Sequence, residues 1–178
     1  VLATGSRRWM PPIEGGEGVE ILHHEDILAG AKTGQRVVIY DWRTDWIAIG
    51  MAELLSQSGA DVRLAVNGVC PGFAIQNYVR DAAIARLYRL GVETTAFMRL
   101  YGAEDRTVYF VHTAAQEPVV LEDVDTLVVV PPNQPEVGPA DWLKSSGIPY
   151  RIIGDALAPR TAEEAVYEGL TATLELLT

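Results

Sequence analysis

The 178 residues predict a three-layer α/β fold, with a parallel β-sheet and an antiparallel β-meander as a crossover. Three observations carry this. Residues 36–66 read as strand, helix, strand. The hydrophobic period changes to two over residues 107–121. Residues 125–130 then form a very apolar run, the signature of a central strand buried on both faces.

Taken in order, Val1-Leu2-Ala3-Thr4-Gly5 reads as the end of a strand entering a tight turn. Residues 6–18, with two prolines and several glycines, read as an irregular connection. Ile21-Leu22-His23-His24 reads as a short strand, and residues 25–31 as a brief helix with Gly30 near its end. Adjacent residues of a strand point to opposite faces, and no third ligand stands at a zinc-like spacing, so the paired histidines predict no metal site. Next comes Val37-Val38-Ile39-Tyr40, a β-branched and aromatic strand. A turn over residues 41–45 leads to a helix with Ile47, Met51, Leu54 and Leu55 at one-face spacing. Gly59 closes that helix, and Val62, Leu64 and Val66 supply the next strand. About 30 residues is the expected size of a right-handed βαβ crossover.

Residues 67–72 form a loop containing Cys70, with nothing local to lower its pKa or act as its base. Asn77 is placed to cap a helix running to Leu90, with Ala83, Leu87 and Leu90 on one face and Gly91 at its end. Residues 92–97 read as a third strand of the sheet and residues 99–106 as a polar connection. Thr107-Val108-Tyr109-Phe110-Val111-His112 and Glu117-Pro118-Val119-Val120-Leu121 read as paired antiparallel strands, with His112 a packed or edge residue. Prolines break the chain after the central strand. Residues 140–146 make at most two helical turns, and residues 150–153 are the last strand. Thr161-Ala162-Glu163-Glu164 is a capping box opening a helix to Leu177, with Ala165, Val166, Gly169, Leu170, Thr173 and Leu174 on one face. Asp155 sits just past the last strand's carboxyl end, where ligands bind in open α/β sheets.

The first turn of a βαβ unit holds a pyrophosphate when glycines let a ligand approach the backbone. Here the turn reads Asp41-Trp42-Arg43-Thr44-Asp45-Trp46-Ile47-Ala48, with no glycine before Gly50. Two indoles would block the approach, and two carboxylates would face a dianion. At about 5 Å and an effective dielectric of about 20, one such repulsion costs about 3 kcal/mol, roughly a hundredfold in affinity. Arg43 could offset one of the two. The second strand ends in Val66-Asn67 rather than in an acid for the ribose hydroxyls. The side chains therefore argue against NADH or NADPH in this corner.

A net charge of −10, with no basic cluster, disfavours nucleic acid and anionic membranes as partners. No run approaches a membrane span and no signal peptide is visible. A single cysteine rules out an internal disulfide or a multi-cysteine metal centre and fits a cytoplasmic setting. An apolar, strand-like start without Met is the expectation for a segment of a longer polypeptide.

Ala3-Thr4-Gly5 resembles the ATG turn of two-dinucleotide-binding flavoproteins, and Gly154-Asp155-Ala156 resembles their late GD motif. Further stretches extend the likeness: Asp26-Ile27-Leu28-Ala29-Gly30, Ala52-Glu53-Leu54-Leu55, and Ile153-Gly154-Asp155-Ala156-Leu157-Ala158-Pro159-Arg160. Together they resemble the C-terminal region of the trimethylamine dehydrogenase, histamine dehydrogenase and 2,4-dienoyl-CoA reductase group. This group lies among the old yellow enzyme-like flavin oxidoreductases, and the likeness covers essentially the whole chain.

The resemblance implies a Rossmann-like, FAD/NAD(P)-binding-like fold. Residues 20–150 would be the second, degenerate NAD(P)-binding-like domain. Residues 1–19 and 151–178 would be edges of the first, FAD- or ADP-binding domain. It implies an upstream (β/α)8 barrel with FMN and a 4Fe-4S cluster, where substrate is oxidised. An electron-transfer flavoprotein and further copies of the chain are the implied partners. Thr4, Gly5, Gly154 and Asp155 would bind FAD or ADP, the aspartate holding a ribose or ribityl hydroxyl. No catalytic or metal-ligating residue is expected in this chain. The glycine-free turn favours the amine dehydrogenase branch. An NAD(P)H-binding reductase module and a non-catalytic interaction domain are the alternatives.

Overall fold

The computed structural model describes residues 1–176. They form strands β1 (Ser6–Arg7), β2 (Glu14–Gly15) and β3 (Glu20–His23), helix α1 (His24–Leu28), β4 (Arg36–Asp41), α2 (Trp46–Gln57), β5 (Asp61–Val66) and α3 (Asn77–Arg89). Then follow β6 (Glu93–Thr95), β7 (Met98–Glu104), β8 (Thr107–His112), β9 (Glu117–Leu121), β10 (Thr126–Val130), β11 (Gln134–Pro135), α4 (Ala140–Ser145) and α5 (Ala162–Leu176). The chain divides into two compact units: Val1–Trp9 together with the chain from Pro132 onward, and Met10–Pro131.

In the larger unit a five-stranded sheet runs in the order β3-β10-β4-β5-β6, with every neighbouring pair parallel. Strand period decides which residue faces which layer. Val37, Ile39, Val128 and Val130 pack with Ile27 of α1, Ala48, Met51 and Leu55 of α2, and Leu87 of α3. Their neighbours Val38, Tyr40, Leu127 and Val129 pack on the other face with Met98, Ala103, Val108 and Phe110. The second face is covered by a four-stranded sheet, order β2-β7-β8-β9. Its β7, β8 and β9 are antiparallel, so the meander crossover read from the two-residue period is present. All five residues of β10 are buried. At about 1.5–3 kcal/mol per buried aliphatic side chain, Leu127, Val128, Val129 and Val130 together contribute about 6–12 kcal/mol of burial free energy.

Asp125 ties the amino-terminal edge together. Its carboxylate accepts the Arg36 backbone N–H at 2.8 Å and pairs with Arg106 at 2.6 Å. These donors hold its pKa below the usual carboxylate range. Gly34 is obligatory beside it, because a Cβ there would lie 2.3 Å from the Asp125 Cβ.

Several expectations need correction. Residues 99–106 are largely strand, not a polar connection. The exposed Arg99, Tyr101 and Glu104 alternate with buried or half-buried Met98, Leu100 and Gly102, and a register shift between Leu100 and Gly102 obscures the period. The connection at residues 6–18 contains β1 and β2. Asn77 is the first helical residue rather than the cap; Gln76 precedes it and gives no side-chain cap. Residues 150–153 are not a strand. Only Ile152 pairs, in a single parallel bridge with Leu2, because the segment has one short neighbour. The presumed buried face of α5 is open, with Val166, Leu170 and Leu174 exposed and Ala172 buried instead. Leu177 lies outside the described residues.

Helix α2 supplies a direct test of the packing. Leu55 is buried, whereas Leu54, placed on the same face by spacing, is 44% exposed. Leu55→Ala should cost about 2–5 kcal/mol in urea unfolding and Leu54→Ala less than about 1 kcal/mol. Equal costs would reverse the assignment of the helix face.

Candidate functional site

The carboxyl ends of β4, β5 and β10 meet at the turn into α2, the position for a ligand in an open parallel sheet. This turn is furnished with its own anions. The Asp41 side chain, wholly buried, accepts the Thr44 N–H through Oδ1 at 2.7 Å. Asp45 caps α2 by accepting the Ile47 N–H through Oδ1 at 3.0 Å, and its Oδ2 pairs with Arg43 at 2.6 Å. The Trp42 N–H donates to the Val130 carbonyl at 3.2 Å. Backbone amides at a helix N-terminus are what a phosphate would use; here Asp45 takes the Ile47 amide of α2, and the Thr44 and Trp42 amides of the preceding turn go to Asp41 and Val130. Thr44 stands at φ 55°, and its methyl would lie 3.0 Å from a Cβ on Gly68. Burial raises the Asp41 pKa to about 7, against the opposing Thr44 amide bond. Asp41 Oδ2 is buried without a hydrogen-bond partner.

His23 and His24 are also brought to this end of the sheet. They do not point to opposite faces, because His23 ends β3 and His24 begins α1. Both are buried, their ring centroids lie 4.1 Å apart, and with Glu25 they offer ligand atoms within 4.8 Å of one another. One lone pair is already used: His23 Nδ1 accepts the Glu25 N–H at 3.2 Å. The His23 N–H in turn donates to Asp26 Oδ2 at 2.9 Å. This reciprocal pair is a capping box with a histidine in the serine position. Burial lowers the His24 pKa, which favours its neutral form. His112 Nδ1 accepts the Ala115 N–H at 3.0 Å and so closes a turn. Cys70 is a free, half-buried thiol in the loop after β5.

The four residues expected to bind a nucleotide lie together in the smaller unit. Leu2 and Ile152 form the parallel bridge, with the Ile153 N–H donating to the Leu2 carbonyl at 3.0 Å. This sets Thr4-Gly5 beside Gly154-Asp155. Ser6 Oγ donates to Asp155 Oδ2 at 3.1 Å. Gly5 and Gly154 have φ of 79° and 62°, the left-handed region that glycine tolerates. A Cβ on Gly5 would meet nothing within 4 Å, so the turn's surface is open. Thr4 Oγ1 donates to the Glu136 carbonyl. The Asp155 carboxylate retains lone pairs for a diol, whereas no phosphate cradle accompanies it among the described residues of this unit. These residues fit the hydroxyl-bearing part of a nucleotide.

Sequence reasoning did not find the supports. Glu168, in the second turn of the last helix and 16% exposed at its side chain, accepts the Gly154 N–H at 2.6 Å and pairs with Arg160. No short-range pattern links residues fourteen apart, although Glu168 is the one acid of α5 spaced to face the turn.

No family model matches the chain. It is 25% identical, over 96% of its length, to N,N-dimethylglycine/sarcosine dehydrogenase from Chromohalobacter salexigens, and spans 30% of that protein. The structure of histamine dehydrogenase from Rhizobium sp. 4-9 superposes with a TM-score of 0.79 at 24% identity, covering 99% of this chain and 30% of that one. A 2-naphthoyl-CoA reductase in complex with 2-naphthoyl-CoA superposes with a TM-score of 0.74 at 25% identity, covering 94% and 25%. The chain thus shares the fold of a part of these oxidoreductases and spans under a third of their length. The resemblance read from Thr4-Gly5, Gly154-Asp155 and the intervening stretches falls on the same group.

Asp41 makes the corner's electrostatics measurable. Its pKa is higher folded than unfolded, so the native state holds more protons between the two values and stability falls as pH rises through about 7. Asp41→Asn keeps an acceptor for Thr44 and has no proton to lose. Relative to wild type, the variant should gain a few kcal/mol of unfolding free energy between about pH 4 and pH 8. A constant difference across that range in urea titrations would show that Asp41 ionises normally.

Proposed function

We propose that this chain is the nucleotide-domain segment of an amine dehydrogenase, with Thr4, Gly5, Gly154 and Asp155 completing a site for FAD or ADP. The observation that carries this is the pairing of the two glycine turns across the Leu2–Ile152 bridge, with Asp155 drawn against Ser6 at 3.1 Å. Similarity over nearly the whole chain to a dehydrogenase of N-methylated glycines and to histamine dehydrogenase supports the amine branch. In this reading FMN and a 4Fe-4S cluster belong to an upstream barrel of the same polypeptide, which performs substrate oxidation. An electron-transfer flavoprotein receives the electrons. The protein is an oligomeric, cytoplasmic oxidoreductase whose catalytic residues lie outside this segment. None of the described helices is long and apolar enough to cross a membrane.

Within the segment, Asp155 would accept a ribose or ribityl hydroxyl, oriented by the Ser6 hydroxyl and the Arg160 N–H. Glu168 would fix the Gly154 turn from behind. The larger unit acts as scaffold rather than as a nicotinamide nucleotide site, because Asp41, Asp45 and Val130 hold the Thr44, Ile47 and Trp42 amides of the turn and two carboxylates would face a pyrophosphate there. Likeness to a naphthoyl-CoA reductase keeps the reductase reading in view, and the same corner disfavours it.

Asp155→Ala in the full-length polypeptide should weaken retention of FAD or ADP about 10- to 100-fold, the loss of one charge-assisted hydrogen bond. Retention is read by absorbance and nucleotide analysis after gel filtration. Unchanged retention would remove Asp155 from the site, and sub-millimolar NADPH binding to the larger unit in equilibrium dialysis would restore the reductase reading.

A further inference from the structure

A cavity lies on the meander side of the same corner, wholly within the larger unit. It has a volume of about 190 Å³ and is lined by Pro11, Pro12, Tyr40, Trp42, Asn67 and Arg99, with Leu100 beside them. Its walls are flat and apolar. The Trp42 ring stands 6.1 Å from that of Tyr40, tilted by 47°, and Pro11 is buried beside them. The Tyr40 hydroxyl accepts from the Leu100 backbone, and burial pushes its pKa up to about 12. Tyr40 is therefore a fixed neutral wall, not an acid or a base.

The polar groups are few and point one way chemically. Arg99 has no ion pair or hydrogen bond among the described interactions, although seven other arginines pair with an acid. The Asn67 backbone N–H is held by the Asp41 carbonyl at 2.9 Å, which fixes the residue, and its side-chain amide has no hydrogen bond among the described residues. No carboxylate lines the cavity. In a chain of net charge −10, an acid-free pocket with one uncompensated guanidinium selects an anion by local charge.

We propose that this cavity binds a small aromatic carboxylate, one ring in size. The ring would lie against the Trp42 indole and the Pro11-Pro12 wall. The carboxylate would take the planar fork of Arg99, with the Asn67 amide as a second donor. The volume excludes a dinucleotide, and Trp42 and Arg99 are the two residues that decide the ligand class. This goes beyond the FAD or ADP reading and does not rest on it, since the residues of the two sites are in different units.

The test titrates the 178-residue chain with benzoate and with neutral benzamide, following ¹H–¹⁵N spectra and isothermal heats. A fragment of this size should bind benzoate with a Kd in the range of about 0.1–3 mM. Shifts should centre on the Trp42 indole N–H and the Asn67 amide, and benzamide should bind at least about tenfold more weakly. Arg99→Met should erase the preference for benzoate while leaving benzamide binding unchanged. Trp42→Ala should weaken both, and the intact spectrum elsewhere checks its fold. Three results would each overturn the proposal: no binding of benzoate by about 10 mM, shifts centred outside this cavity, or a benzoate preference that survives Arg99→Met.

Discussion

Burial of β10 on both faces is the constraint from which the larger unit follows. A strand made of Thr126, Leu127, Val128, Val129 and Val130 cannot leave either face in water. One face requires helices, and α1 to α3 supply them through Ile27, Met51, Leu55 and Leu87. The other requires a second sheet, and the meander supplies Met98, Val108 and Phe110. Central placement between β3 and β4 satisfies the backbone on both sides. It also delivers the carboxyl ends of the strands to one edge. There the Val130 carbonyl meets the Trp42 amide, so the same strand that builds the core also helps close the corner.

That corner shows how the turn of a βαβ unit can be held together by its own side chains. Helix N-termini and tight turns leave donors that must be satisfied. Ligand-binding versions leave them to the ligand. Here three of them, at Thr44, Ile47 and Trp42, are met from within, by a buried carboxyl at Asp41, a cap at Asp45 and the neighbouring strand. The cost of this arrangement is a carboxyl that must stay protonated or be desolvated as an anion, visible in its upward-shifted pKa.

Much of this was legible in the sequence because the elements concerned carry strong periods. The βαβ unit, the β8–β9 pair and the β10 run are all marked by burial that repeats in step with backbone geometry. What was illegible has physical causes. Strand β7 carries Arg99, Tyr101 and Glu104 on its outward face, and the irregularity between Leu100 and Gly102 shifts its alternation. The histidine pair was misread because the alternation rule stops where a strand becomes a helix. The end segments were read as a strand and a buried helix face, but a strand needs partners on its edge, and residues 150–153 have only Leu2. At the two glycine turns, Thr4-Gly5 and Gly154-Asp155 were recognisable as short motifs. Their supports Ser6 and Glu168 were not, since each depends on a contact between residues far apart in the chain.

The internally satisfied turn also bears on how easily this corner could be given a different ligand. Replacing Asp41 by glycine would free the Thr44 amide but strip the turn of its buried anchor. Trimming Trp42 would open space in front of amides that remain occupied. Relieving the charge at Asp45 would uncap α2 and leave Arg43 without its partner. Each single change is a loss, and only several together make a cradle. The landscape between scaffold and cofactor site is therefore a valley crossed in one stride or not at all, which makes this piece of the fold hard to repurpose by stepwise substitution.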